Sequence, residues 1–356
     1  MAYTTIDDPS AHFQTTTYTG SGSSGNAITN SGNSNLKPDW LWIKSRSDTE
    51  QHTLYESSRG STKRLMPDAN NAEFVNSTQG VQSFDTDGFT TGDSDQYNKS
   101  SQNCVAWQWV ANGGTTSSNS DGDITSTVQA NTTAGFSIVT FTGNGNNDAT
   151  IGHGLGTTPA MIITKNRDDA VLWRVWHQNL TSTNVLFLNE DFAQTAPSGH
   201  SNGYIKTVGS STYSVYQGNS DTNGVNGSSD NMIAYCFAEK QGYSKFGSYT
   251  GNASSSDGPF IYTGFKPAFF LIKSIGAARF WHILDNKRNT INPVNLYLNP
   301  NNSDADGTFV FGDFLSNGFK ITNNGNTFNT NGETYIYMAF AEHPFVSSKG
   351  VPVTAR

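Results

Sequence analysis

What this chain lacks narrows the field first. Charged residues make up only 14% of its 356 positions, and 21 Lys and Arg stand against 29 Asp and Glu, a balance of −8 at neutral pH. A chain without a basic surplus has little with which to neutralise a phosphate backbone or an anionic lipid surface. Nucleic acid is therefore excluded as an expected partner. No apolar run approaches the ~18 residues that a membrane helix requires, so no membrane insertion is expected. There are 2 cysteines, Cys104 and Cys236. They lie in separate apolar runs, where buried free thiols are expected rather than a disulfide framework. The opening MAYTTIDDPS has neither a basic n-region nor an apolar h-region, so no signal peptide is expected. Strong helix formers are scarce too. Hydrophobic residues reach 34%, and the remaining bulk is Asn, Ser, Thr and 35 Gly, which belong in turns and on strand surfaces. The class is all-β.

What is present is a repeat. The stretch Pro267-Ala268-Phe269-Phe270-Leu271-Ile272-Lys273 recurs as Pro159-Ala160-Met161-Ile162-Ile163-Thr164-Lys165 and as Pro38-Asp39-Trp40-Leu41-Trp42-Ile43-Lys44. Pro is tolerated at the first residue of a strand. The run behind it is short and rich in β-branched and aromatic residues, as a strand prefers. Lys is expected to close the strand by reaching into water with its stem packed. Around this block other phrases recur: Tyr18-Thr19-Gly20, Phe141-Thr142-Gly143 and Tyr249-Thr250-Gly251 before it, and Asn103–Trp109, Met232–Glu239 and Tyr335–Glu342 at the close. Phe84–Phe89 and Phe314–Phe319 share one spacing.

These repeats predict three tandem β-sandwiches, jelly-roll or lectin-like, of about 100 residues each. A larger body in which the units share strands or sheets is the alternative. The expected divisions are a polar N-terminal arm (1–12), repeat 1 (13–114), a Gly/Ser/Thr linker (115–134), repeat 2 (135–243), repeat 3 (244–345) and a C-terminal tail (346–356). The linker is assigned because its composition is too polar to bury a core.

Each residue that could carry chemistry has a plainer role. The seven tryptophans (Trp40, Trp42, Trp107, Trp109, Trp173, Trp176 and Trp281) all fall in repeated strands, so an aromatic core is expected rather than an exposed sugar platform. The acidic turns Asp85-Thr86-Asp87-Gly88, Asp121-Gly122-Asp123 and Asp304-Ala305-Asp306-Gly307 lack the convergent oxygens of a calcium loop and are expected to be ordinary Asp-Gly turns. His12, His52, His153, His177, His200, His282 and His343 show no zinc-like spacing. Glu239 and Glu342 occupy one place in two repeats, where Ala111 lies near the corresponding place in the first. There is no G-x-S-x-G, P-loop or dinucleotide fingerprint. No catalytic, cofactor or metal residue is assigned, and no enzyme activity is expected.

The opening Ala2–Ser10 and the phrases Pro38–Lys44, Ser83–Phe89, Ala234–Glu239, Gly242–Gly251 and Asp313–Phe319 resemble a family of tailed-phage structural proteins. These proteins are abundant in phages of marine and freshwater bacteria and are often labelled tail fibre or virion structural protein. The resemblance covers nearly the whole chain. It implies a virion protein made in the host cytoplasm, most simply a homotrimeric tail-fibre adhesin that contacts a host-surface glycan or protein. The arm would meet other virion proteins, and the Asn/Gly/Ser-rich loops Ser21–Asn35, Gly218–Asp230, Asn252–Gly258 and Thr322–Gly332 would recognise the host. A capsid decoration or head-fibre protein is the second expectation, and a polysaccharide depolymerase the third. The chain departs from extended fibres in having no heptads for a coiled-coil shaft.

Overall fold

A computed structural model describes residues 2–196, 203–217 and 224–352. The chain is all-β, and its sheets come in three pairs. In the first unit the larger sheet runs Phe13–Thr19, Asn103–Trp109, Trp40–Ser45, Thr53–Glu56, Gly60–Leu65 and Phe74–Val75, and the smaller one Asn26–Ile28, Gly88–Thr91 and Val81–Asp85. The same antiparallel order returns in the second unit as Phe136–Thr142, Asn231–Phe237, Met161–Asn166 and Arg174–His177, and in the third as Ser244–Thr250, Thr334–Pro344, Phe265–Ser274 and His282–Asp285. The Pro-to-Lys strand therefore always lies beside the closing strand of its unit. Phe84 pairs with Phe89, and Phe314 with Phe319, across two-residue hairpin turns.

Side-chain alternation shows why the repeated strand is apolar on both faces. Leu41 and Ile43 point into a core between the two sheets of unit one, as Ile162 does in unit two and Phe270 and Ile272 in unit three. Trp40, Trp42, Met161, Ile163, Phe269 and Leu271 point the other way, into one cluster shared by all three units. The closing strands obey the same rule, with Trp107 and Trp109, Tyr235 and Phe237, and Met338 and Phe340 all in the shared cluster. Trp40 stacks on Tyr235 with ring centroids 4.6 Å apart, and Phe13 on Phe340 at 5.2 Å. The units are thus three sandwiches whose large sheets face a common centre, rather than independent beads, because each large sheet has two apolar faces to bury.

Equivalent contacts close this ring in one direction. Fourteen residues after each block-opening Pro stand His52, Trp173 and Trp281. Trp173 Nε1 donates to Met66 O at 2.9 Å, and Trp281 Nε1 to Phe187 O at 2.9 Å. His52 Nδ1 accepts from Trp42 Nε1 at 2.8 Å, which leaves Nε2–H to donate to Asn299 O at 3.0 Å. Each bond crosses to the preceding unit in cyclic order. A second ring of backbone bonds runs from Glu73, Gln194 and Asp306 N–H to the carbonyls of Arg167, Ile275 and Arg46, at 2.7, 3.1 and 2.9 Å. Arg167 with Glu73 (2.7 Å) and Arg46 with Asp306 (2.8 Å) add ion pairs at two of these junctions.

One segment departs from expectation. The polar stretch 115–134 is no linker: Ser117–Asn119 and Ser126–Asn131 extend the large sheet of unit two, in register with Phe136–Thr142. A strand with one covered face needs an apolar residue only at alternate positions, and Val128 and Ala130 supply it in Ser126–Asn131, which lies between Ser117–Asn119 and Phe136–Thr142. The N-terminal arm packs along unit three. Thr4 and Ile6 are buried, Tyr3 OH donates to Gly264 O at 2.8 Å and Thr4 Oγ1 to Gln241 O at 2.8 Å. Pro9–Ala11 forms a 3-10 turn capped by Asp8. In the tail, Ser348 N–H donates to Asp7 Oδ1 at 2.6 Å.

Candidate functional site

Lys44, Lys165 and Lys273 do not reach water. Each is fully buried, because its strand is covered on both faces and the stem points toward the shared cluster. Each ammonium instead donates to backbone carbonyls: Lys44 to Ser45 O (2.6 Å) and Asp48 O (3.2 Å), Lys165 to Asn166 O (2.6 Å) and Asp169 O (2.8 Å), Lys273 to Ser274 O (2.9 Å) and Asp191 O (3.1 Å). Burial pulls their pKa values down, to about 8 for Lys44 and about 7 for the other two. Such amines have the basicity of a nucleophile at neutral pH, but they sit sealed beneath the loops they hold.

The other residues singled out in the sequence are held in structural contacts. Six tryptophans are fully buried, and Trp176 is half-buried. Buried His177 and His282 have pKa values lowered to about 4 and about 3, chiefly by loss of solvent. His282 Nδ1 accepts from Asn299 Nδ2 at 2.9 Å, and His153 Nδ1 from Leu155 N–H at 3.2 Å. His200 lies outside the described residues. Asp85 accepts from the hydroxyls of Ser83 and Thr90, Asp87 from Leu36 N–H, Asp123 from Thr150, and Asp306 from two arginines. Asp121 and Asp304 meet the amides of Asn119 and Asn302. Among the described residues no group of three or more His, Cys, Asp or Glu converges as a metal site would. Glu239 pairs with Lys245 and Glu342 with Lys266, both at 2.6 Å. Cys104 and Cys236 are free and buried, and burial pushes the Cys104 thiol up to about 12.

Three functional candidates escaped the sequence reading: Asn98, Asn226 and Asn329, each fully buried. Each stands five residues before its closing strand, and that constant spacing was the available signal. Their side-chain oxygens accept the N–H of Ser21 (2.8 Å), Asn144 (3.0 Å) and Asn252 (2.9 Å), the residues after each repeated Thr-Gly. Their amide groups donate to Ser23 O, Asn146 O and Ser254 O at 2.8, 2.8 and 3.0 Å. The motif glycine is required by this contact. A Cβ on Gly251 would lie 2.3 Å from Thr330 O, and one on Gly143 2.1 Å from Gly227 O. The same lock thus pins a polar loop in every unit. Of the expected recognition loops, 218–223 falls outside the described residues.

A cavity of about 150 Å³ opens where unit three meets unit one. Phe13, Ala268 and Ala341 form apolar walls, while Thr15, Asn286, Lys287, Glu342 and His343 supply polar ones. Gln14 shapes the rim, its amide donating to Ser10 O (2.9 Å) and Ser34 O (2.7 Å) while its oxygen accepts from Gly32 N–H (2.9 Å). Asp8 beside it is held below the usual carboxylate range: burial opposes ionisation, but bonds from Ser10 and Ser34 and the nearby His343 outweigh it. Through Asn286 and Glu342 the cavity adjoins a second hollow of about 300 Å³, lined also by Lys266, Asn289, Thr290, Ile291, Asn292 and Phe314.

The fold and these surfaces define an all-β protein built from three sandwiched units. The chain belongs to a family described only as a domain of unknown function, DUF7483, whose model matches residues 8–344. No curated protein and no solved structure matches it.

Proposed function

We propose that this chain is a virion-borne adhesin of a tailed phage, contacting the host surface through its loops. The observation that carries the reading is the triplicate asparagine lock. It fixes polar segments at Ser21–Ser23, Asn144–Asn146 and Asn252–Ser254 onto rigid sheets. Loops on a rigid scaffold are where recognition concentrates, and fixing them before contact lowers the entropic cost of binding. Polar Asn and Ser side chains suit wet, individually weak contacts, which several copies on one particle convert into avidity. The resemblance of the repeated phrases to tailed-phage structural proteins supports the virion setting. The purified full chain, fluorescently labelled, should bind host cells and compete with infection. A chain that neither binds the host nor protects it from phage would refute the reading.

A further inference from the structure

The repeat provides its own control for the cavity between units three and one. Nineteen residues after each block-opening Pro stand Ser57, Gln178 and Asn286. Their backbones do the same thing, donating to Asp39, Ala160 and Ala268 O at 2.9, 2.9 and 3.0 Å. Two of the three side chains also bridge to the next unit, Ser57 Oγ to Gln129 Oε1 at 3.1 Å and Gln178 Nε2 to Phe246 O at 2.7 Å. Asn286 does not. Among the described residues its Oδ1 is buried without a hydrogen-bond partner, and so is Thr15 Oγ1, whose residue is only 4% exposed. Both residues line the cavity. A buried polar atom left unpaired costs about 1–3 kcal/mol, and here two such atoms line one cavity.

We infer that this junction is a binding site for one hexopyranose residue of a host-surface glycan, an inference that rests on the adhesin reading and names its ligand class. Asn286 Oδ1 and the Glu342 carboxylate are acceptors, and the Thr15 hydroxyl can donate or accept. They call for a ligand rich in hydroxyl donors. Phe13, Ala268 and Ala341 offer the apolar surface that the C–H face of a sugar ring needs. A phosphate or other strong anion is disfavoured, since the Glu342 carboxylate lines both hollows and already holds Lys266 at 2.6 Å, while Lys287 on the cavity wall is solvent-exposed. A cavity of ~150 Å³ elsewhere accepts a benzene ring; a hexopyranose has twice the heavy atoms, so its ring enters while its outer hydroxyls stay at the open mouth. The adjoining hollow of about 300 Å³ leaves a path for the rest of the glycan chain.

The test is saturation-transfer NMR on the full chain with glucose, galactose, mannose and N-acetylglucosamine, followed by titration of any binder. The wild-type chain should show transfer to at least one of them. Thr15→Val should weaken that binding ~5–10-fold, the loss of one hydrogen bond, while its urea midpoint stays level or rises because an unpaired hydroxyl is gone. Ala268→Leu, which fills the cavity, should abolish binding with the fold intact. No transfer to any of the four sugars overturns the inference, as does binding that both variants leave unchanged. Host-cell adhesion that persists in Ala268→Leu would sink the cavity assignment and leave the adhesin standing. Sugar binding by a chain that does not adhere to host cells would do the reverse.

Discussion

Replacing Lys273 by Met should change how stability depends on pH. Lys273 is fully buried with its Nζ on two carbonyls, and burial brings its pKa to about 7. In the unfolded chain the same amine titrates near ~10.4. Because the folded value is the lower one, the unfolded state binds more protons between these limits, and stability rises with pH across that window. Integrated from pH 7 to 9 at ~1.36 kcal/mol per unit, one such lysine contributes about 2 kcal/mol. Lys165 behaves alike, and Lys44, at about 8, contributes somewhat less. The buried thiols Cys104 and Cys236, whose pKa burial raises, oppose the trend above ~8.5 by less than the three lysines contribute, and the tyrosines whose pKa burial raises, Tyr97 and Tyr243 among them, only above ~10. Urea unfolding followed by tryptophan fluorescence at pH 7, 8 and 9 reads the effect directly. The wild-type midpoint should climb, and Lys273→Met should lose about 2 kcal/mol of that climb. A wild-type midpoint that is flat or falls over this range would refute the buried ammonium account, as would a variant profile parallel to the wild type.

Other consequences follow from the ring and the locks. Trp281→Phe removes the donor to Phe187 O and part of a buried ring, and should cost about 2–3 kcal/mol by denaturant midpoint. Trp176→Phe, at a half-buried site, should cost under ~1 kcal/mol. Asn329→Ala strands the Asn252 N–H and the Ser254 and Asn323 carbonyls. It should cost about 2–4 kcal/mol, and limited proteolysis should cut within 252–258 in the variant and spare the wild type. Gly251→Ala drives a Cβ into Thr330 O and should behave like the Asn329 variant. Cys104 and Cys236, free and buried, should resist a thiol reagent in the native state and react together on denaturation; fast native labelling of either would contradict the packing.

Much of the scaffold was legible because it is written three times. The Pro-to-Lys block marked the strand that each large sheet is built around, and the placement of the tryptophans in strands marked a core. The closed ring was also written, though less openly. An antiparallel strand with one wet face alternates, whereas Trp40-Leu41-Trp42-Ile43 and Phe269-Phe270-Leu271-Ile272 are apolar throughout, which requires cover on both faces. The same cover buries Lys44, Lys165 and Lys273, where the habit of lysine suggested water. The stretch 115–134 is polar on average, yet Ile124, Val128 and Ala134 are buried and Ala130 packs against the same core as Val128, which is enough for strands with one covered face. The asparagine locks needed a partner in space to acquire meaning, since one buried Asn looks like any loop Asn. The cavity was least visible. It arises from the difference between Ser57, Gln178 and Asn286, and only packing shows which of them reaches across.

Whether the protein is a virion adhesin is read from electron microscopy of intact phage particles labelled with gold-conjugated antibody to it. An adhesin places the label at the host-facing end of the tail. Label confined to the head would replace the adhesin with a decoration protein, and particles that carry no label would contradict the virion assignment altogether.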